Sequence, residues 1–183
     1  MFSALFLTAQ AYADPDTQSE AALVIAGGAL DSRTEDVWRS FIDAARDEGP
    51  IVIVPSASGS PVQSAESVRG TLLAYGVGED RIATAKLATM DDRSSPAVNE
   101  ALWAENSDDP EIATLLKGAA AIWFTGGDQA RTTKILLKGG HETQALSAIR
   151  TAAANGAPIG GTSAGAAIMS KTMLLQGDSL SAL

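Results

Sequence analysis

The feature that most constrains this chain is a set of short apolar runs with no polar residue inside them. Ile51-Val52-Ile53-Val54 and Ala120 to Phe124 lack the alternation of a half-solvated strand, so each reads as a strand buried on both faces. Each leads at once into a glycine- or serine-rich turn: Pro55-Ser56-Ala57-Ser58-Gly59 after the first, Thr125-Gly126-Gly127-Asp128-Gln129 after the second. Ala21 to Ala26, ending in Gly27-Gly28, reads as another buried strand. Arg81 to Leu87 reads as a half-buried one and Pro158-Ile159-Gly160 as a short fifth.

The segments between them carry helical periodicity. Ser32 and Glu35 have the spacing of a capping box, ahead of Val37, Trp38, Phe41, Ile42 and Ala45 on one face, and Gly49-Pro50 ends that helix. A second helix is expected from about Ser64 to Tyr75 with Gly76 as its stop, and a short one over Val98 to Trp103. Asp109 and Pro110 open a helix running to about Lys117. Another reaches Leu137 before a Lys138-Gly139-Gly140 break, and Glu142 to Asn155 forms the next. Strands buried on both faces, alternating with amphipathic helices, predict an α/β fold: a mostly parallel sheet with helices on both faces. At 183 residues the chain makes one such domain. In these sheets ligands bind beyond the carboxyl ends of the strands, where the glycine-rich turns fall.

Composition narrows the chemistry. The chain has no cysteine, which excludes disulfides, thiolate metal sites and a cysteine nucleophile. A formal net charge of −9 argues against a nucleic-acid-binding surface. Asp91-Asp92-Arg93 and Ser107-Asp108-Asp109 read as loop charge and helix caps, so neither a metal nor another cofactor is expected. Trp38, Trp103 and Trp123 read as core. At the start, the apolar run Phe2 to Ala9 precedes Ala11-Tyr12-Ala13, a small-x-small cleavage pattern. Residues 1–13 are therefore expected to be a cleaved signal peptide and residues 14–20 a polar segment. The mature protein would then be secreted or periplasmic, with no membrane segment.

The chemistry-bearing motif is Gly161-Thr162-Ser163-Ala164-Gly165, between the fifth strand and an alanine-rich helix from Ala164 to about Ser170. A strand, a sharp turn carrying serine, and a helix make the setting of a nucleophile elbow. The serine hydroxyl stands clear of the backbone only if the turn is strained, and side chains two residues to either side would collide. Glycine is thus needed at both places. Ser163 is the candidate nucleophile, and the backbone N–H groups of Ala164 and Gly127 are candidate oxyanion donors. The same residues would also serve as a tight turn without chemistry.

The string Gly160-Gly161-Thr162-Ser163-Ala164-Gly165-Ala166-Ala167-Ile168-Met169-Ser170 resembles the nucleophile segment of cyanophycinases, and Phe124-Thr125-Gly126-Gly127-Asp128-Gln129 resembles their second signature. Val24 to Gly28 and Ile53 to Ser58 fit the family's earlier strands, so the likeness runs from about residue 21 to the end. It implies a class I glutamine amidotransferase-like, flavodoxin-like sheet, here the N-terminal portion of a catalytic domain over residues 21–183 and incomplete at its C-terminal end. It implies a serine peptidase that cleaves cyanophycin, an aspartate backbone bearing arginines on its β-carboxyls, to β-Asp-Arg dipeptides. Gln129 and Asp128 would help hold that arginine-rich aspartate polymer or peptide, and a homodimer is the associated assembly. The alternatives are an aspartyl dipeptidase-like enzyme acting on short peptides and a non-catalytic α/β binding module that keeps the turn as scaffold.

A serine needs a base to take its proton, and in this resemblance the histidine and acid follow the serine. No histidine follows Ser163; His141, the single one, precedes it in a Gly-Gly-His-Glu stretch read as a solvated loop or helix start. The chain alone is therefore expected to be inactive, and a family-like sheet without its later strands, with an exposed edge and apolar helix faces, is expected to make it poorly soluble.

Overall fold

The computed structural model describes residues 21–173. The expected signal peptide, the polar segment after it and residues 174–183 lie outside the described residues.

Five strands form one parallel sheet: β1 (Leu23–Ala26), β2 (Ile51–Val54), β3 (Ile82–Thr84), β4 (Ala121–Phe124) and β7 (Ile159–Thr162), in the order β1-β7-β4-β2-β3. Register aligns Val24, Gly160, Trp123, Ile53 and Thr84 in one row across it. All strands point the same way, so the five turns at their carboxyl ends share one edge. The last strand, β7, sits between β1 and β4, which places Ser163 beside the turns that leave both neighbours.

Successive residues face opposite sides. Ile51, Ile53 and Trp123 pack under Trp38 and Phe41 of α1 (Glu35–Asp43) and Ala65, Val68 and Leu72 of α2 (Pro61–Ala74). On the other side Val52, Val54, Ile122 and Phe124 meet α3 (Pro110–Lys117), α4 (Gln129–Leu136) and α5 (Gln144–Ala154) through Leu116, Ile135, Ala145, Ala148, Ile149 and Ala152. The expected layering is present. The uninterrupted runs became the fully covered strands because all four residues of both β2 and β4 are buried.

Several boundaries differ from the sequence expectation. The first strand is not buried: β1 is an edge strand, with Leu23 55% and Ile25 62% exposed. Its composition says apolar, but strand order decides cover. No capping box forms; Thr34 precedes α1 and makes no side-chain cap. Helix α2 starts at Pro61, whose fixed φ and missing N–H suit a first turn. The third strand is shorter than Arg81–Leu87, and the helix expected over Val98–Trp103 is a 3-10 run from Glu100 to Asp108. The Lys138-Gly139-Gly140 break is a small hairpin, β5 (Leu137–Lys138) with β6 (His141–Glu142), so His141 lies on a strand. Helix α5 accordingly starts at Gln144 rather than Glu142, with Thr143 as its cap. The helix after Ser163, α6, covers only Ala164–Ala167. Asp109 and Pro110 open α3 as expected, the Asp109 carboxylate accepting from Glu111 N–H at 2.7 Å.

Candidate active site

Ser163 takes φ 53°, ψ −117°, in the left-handed half of backbone space that a side chain rarely enters. Both glycines that flank it are crowded. A Cβ on Gly161 would lie 2.7 Å from the Gly165 backbone, and one on Gly165 would lie 2.4 Å from the Phe124 carbonyl oxygen. Contacts below 3 Å to backbone leave no room for alanine. The turn closes onto its neighbours: Ser163 N–H donates to Ala26 O at 3.1 Å, and Thr162 Oγ1 donates to Gly27 O at 2.6 Å. Ser163 itself is exposed. Exposed Ala29, at φ 56°, is the other non-glycine residue at positive φ among the described residues.

Two loops border the hydroxyl. A Cβ on Gly28, in the loop after β1, would be 3.7 Å from Ser163 Oγ, and one on Gly126, after β4, would be 3.3 Å from Ser163 Cβ. The next residue, Gly127, has φ 143° and is pressed onto the preceding β2 loop: a Cβ there would sit 2.0 Å from Ala57 O. Asp128 N–H and Arg131 Nη1 both donate to that same carbonyl, at 2.9 and 3.1 Å. Three strands' turns are thus tied into one rim. Ala164 N–H, at the first position of α6, and Gly127 N–H donate to no other described residue.

The two residues expected to hold substrate separate here. Gln129 lines the open cavity that contains Ser163, together with Ile25, Gly28 and Ala167. Asp128 does not border it. Its carboxylate caps α4, accepting from Ala130 N–H at 2.9 Å, and lies 3.9 Å from Arg131 Nε. His141 borders neither cavity adjoining the Ser163 turn; it is exposed on the hairpin beyond the far end of α4. No group of three or more His, Cys, Asp or Glu among the described residues could hold a metal.

Sequence reasoning missed a buried acidic pair beside the neighbouring loop. Asp92 is 2% exposed and accepts from Gln63 N–H (3.0 Å) in the first turn of α2 and from Ser94 N–H and Oγ; Glu100, fully buried, accepts from Asp92 N–H and the Ser95 hydroxyl. Hydrogen bonds from Gln63 and Ser94 hold Asp92 below the usual carboxylate range despite burial, and the Ser95 hydroxyl does so for Glu100. Both are structural ties of the 88–100 loop.

Fold and turn together define a class: a parallel α/β protein that presents an exposed serine on a strained strand-to-helix turn. The sequence matches the model of peptidase family S51 over residues 22–182, and the chain belongs to that family. Among solved structures it is similar to a peptidase from an acI-B1 Actinobacterium, at 22% identity and a TM-score of 0.60 over 85% of this chain. It spans 58% of the length of that peptidase.

Proposed function

We propose that this chain carries the nucleophile half of a serine peptidase active site, with Ser163 as nucleophile. The observation that carries the reading is the Ser163 backbone at φ 53°, flanked by Gly161 and Gly165, where an added Cβ would collide with backbone. Ser163 Oγ would attack the scissile carbonyl carbon, forming the C–O bond as its proton passes to a base. The carbonyl oxygen would gain negative charge against the N–H groups of Ala164 and Gly127. Collapse of that adduct would break the C–N bond and release the amine, which takes up the proton. Water would then hydrolyse the acyl-Ser163 ester to the free acid and restore the hydroxyl. The base lies outside the described residues in this reading, because His141 is placed away from Ser163.

The substrate proposed is an arginine-bearing aspartate polymer of the cyanophycin type, cleaved to β-Asp-Arg dipeptides. Support comes from the Gly-Thr-Ser-Ala-Gly and Gly-Gly-Asp-Gln strings, from Gln129 on the Ser163 cavity, and from a net charge of −9 that suits a cationic substrate. Export by a cleaved N-terminal signal is part of the same proposal.

The test has two arms. A fluorophosphonate probe should label the full-length protein that supplies the base and not its Ser163→Ala variant; a folded full-length protein that resists labelling overturns the enzyme reading. Incubation of that protein with cyanophycin should release β-Asp-Arg. Release only from short α-aspartyl peptides would replace the polymer substrate with a dipeptide one.

A further inference from the structure

We propose that Arg131 is a positioning residue for the oxyanion site: its guanidinium fixes the Ala57 carbonyl on which Gly127 is seated, and so holds the Gly127 N–H in place. The oxyanion role of Gly127 rests on the peptidase reading of Ser163; the hold of Arg131 on the backbone does not.

Gly127 needs a hold from outside its own segment. Gly126 and Gly127 stand side by side after β4, and a peptide unit between two glycines meets the least steric resistance to turning. That unit carries the N–H that would face the oxyanion. An oxyanion donor works because it is already oriented when charge develops. Backbone bonds tie only the two ends of the pair: Thr125 N–H donates to Val54 O at 3.2 Å and Asp128 N–H to Ala57 O at 2.9 Å. Between them the seat is steric. At φ 143°, a Cβ on Gly127 would lie 2.0 Å from Ala57 O and 2.5 Å from its carbonyl carbon. If the Ala57 peptide turns, Gly127 must move with it.

Arg131 sets that peptide. Ala57 is 1% exposed, and its carbonyl oxygen has two lone pairs. One takes the Asp128 N–H and the other takes Arg131 Nη1, at 3.1 Å. A bond from a guanidinium is charge-assisted, and its planar fork gives the bond a fixed direction. The nearest carboxylate competes little for this group. Asp128 Oδ2 stays 3.9 Å from Arg131 Nε, while Oδ1 caps α4. A Cβ on Gly59 would be 3.5 Å from Nη1, so the guanidinium lies along the β2 loop.

This hold is separable from the fold. The same loop is bound to α4 one residue earlier, where Ser56 Oγ and Thr132 Oγ1, both buried, are 2.7 Å apart. That pair keeps loop and helix together when Arg131 is replaced, which confines the change to the Ala57 peptide. Arg131 lines neither cavity adjoining the Ser163 turn. Its influence on the reaction passes through Ala57 and Gly127.

The test compares two variants of the full-length protein that supplies the base. Arg131→Met keeps an unbranched stem and removes the donor; Arg131→Lys keeps a charged donor. The first readout is fluorophosphonate labelling. There Ser163 Oγ bonds phosphorus, fluoride leaves, the base takes the hydroxyl proton, and the phosphonyl oxygen stands where the oxyanion would. Arg131→Met should lower the limiting labelling rate roughly tenfold, because a misplaced donor slows the step itself. The half-saturating probe concentration should stay as it is, and Arg131→Lys should recover most of the rate. The second readout is hydrogen exchange at the Asp128 amide, which reports the Ala57 carbonyl directly. It should quicken several-fold in Arg131→Met and return toward the native rate in Arg131→Lys, with the Gly161 amide of β7 unchanged.

A native protein that is not labelled, but whose Asp128 exchange answers to Arg131, would remove the nucleophile reading and leave the hold standing. Labelling and exchange that both ignore Arg131→Met overturn the proposal. So does Arg131→Lys behaving no better than Arg131→Met, or labelling that falls only in proportion to the folded fraction. A higher half-saturating concentration at an unchanged rate would place Arg131 in probe binding and overturn it too.

Discussion

Trp123 occupies the space that a side chain at residue 160 would fill: on adjacent strands, a Cβ on Gly160 would meet Cε3 at 2.4 Å and Phe41 Cδ2 at 2.8 Å. Glycine on β7 is thus the steric counterpart of a large ring on β4. Gly160→Ala should cost about 1–3 kcal/mol, the usual penalty of overpacking a closed core, and should alter the near-ultraviolet circular dichroism of Trp123. Thermal melting that matches the native chain would show that ring and strand are free to separate.

Asp128 is expected to act on stability rather than on substrate. Its carboxylate caps α4 and its backbone N–H holds Ala57 O. Asp128→Ala should cost about 1 kcal/mol, and Asp128→Asn less, since asparagine caps nearly as well. Both should leave fluorophosphonate labelling of Ser163 in the full-length protein unchanged. Labelling lost in Asp128→Asn at native melting temperature would return Asp128 to the binding site.

The parts of this molecule legible in sequence are those whose cause is local. Strands β2 and β4 were readable because burial on both faces removes polar residues from the run itself. The Ser163 turn was readable because its two glycines answer to collisions within one strand-turn-helix unit. What stayed hidden depends on distant partners. The edge position of β1 follows from strand order, which Leu23 and Ile25 do not encode. Two-residue strands around Gly139-Gly140 are too short to carry a period. Asp92 looks like loop charge until Gln63 and Ser94 close around it. Trp123 was correctly core, yet no spacing rule tells whether its N–H is satisfied.

Acid should unfold the chain through the Asp92–Glu100 loop. Both carboxylates have folded pKa values below their ordinary 3.8 and 4.5, so the unfolded chain binds more protons in that window. Their contribution is present in full above pH 4.5 and is lost as pH falls below it toward the folded values. The melting temperature should therefore be level from neutral pH to about 5 and then fall. Glu100→Gln should lower it at neutral pH and flatten the acid limb. An equally steep limb in that variant would assign the acid sensitivity to other carboxylates.

The exposed edge of β1 should make the chain associate with itself. Leu23 and Ile25 point from a strand whose outer hydrogen-bonding edge pairs with no described strand, and both are more than half exposed. An apolar, unpaired edge is a template for pairing with another chain. A charge in that position breaks such pairing because the approaching strand would have to bury it. Ile25→Lys should therefore reduce concentration-dependent association in sedimentation velocity at little cost to melting temperature, because Ile25 packs against almost nothing that its loss would expose. Leu23→Lys should act in the same direction. A native chain that stays monomeric across the accessible concentration range would show that the edge is already protected.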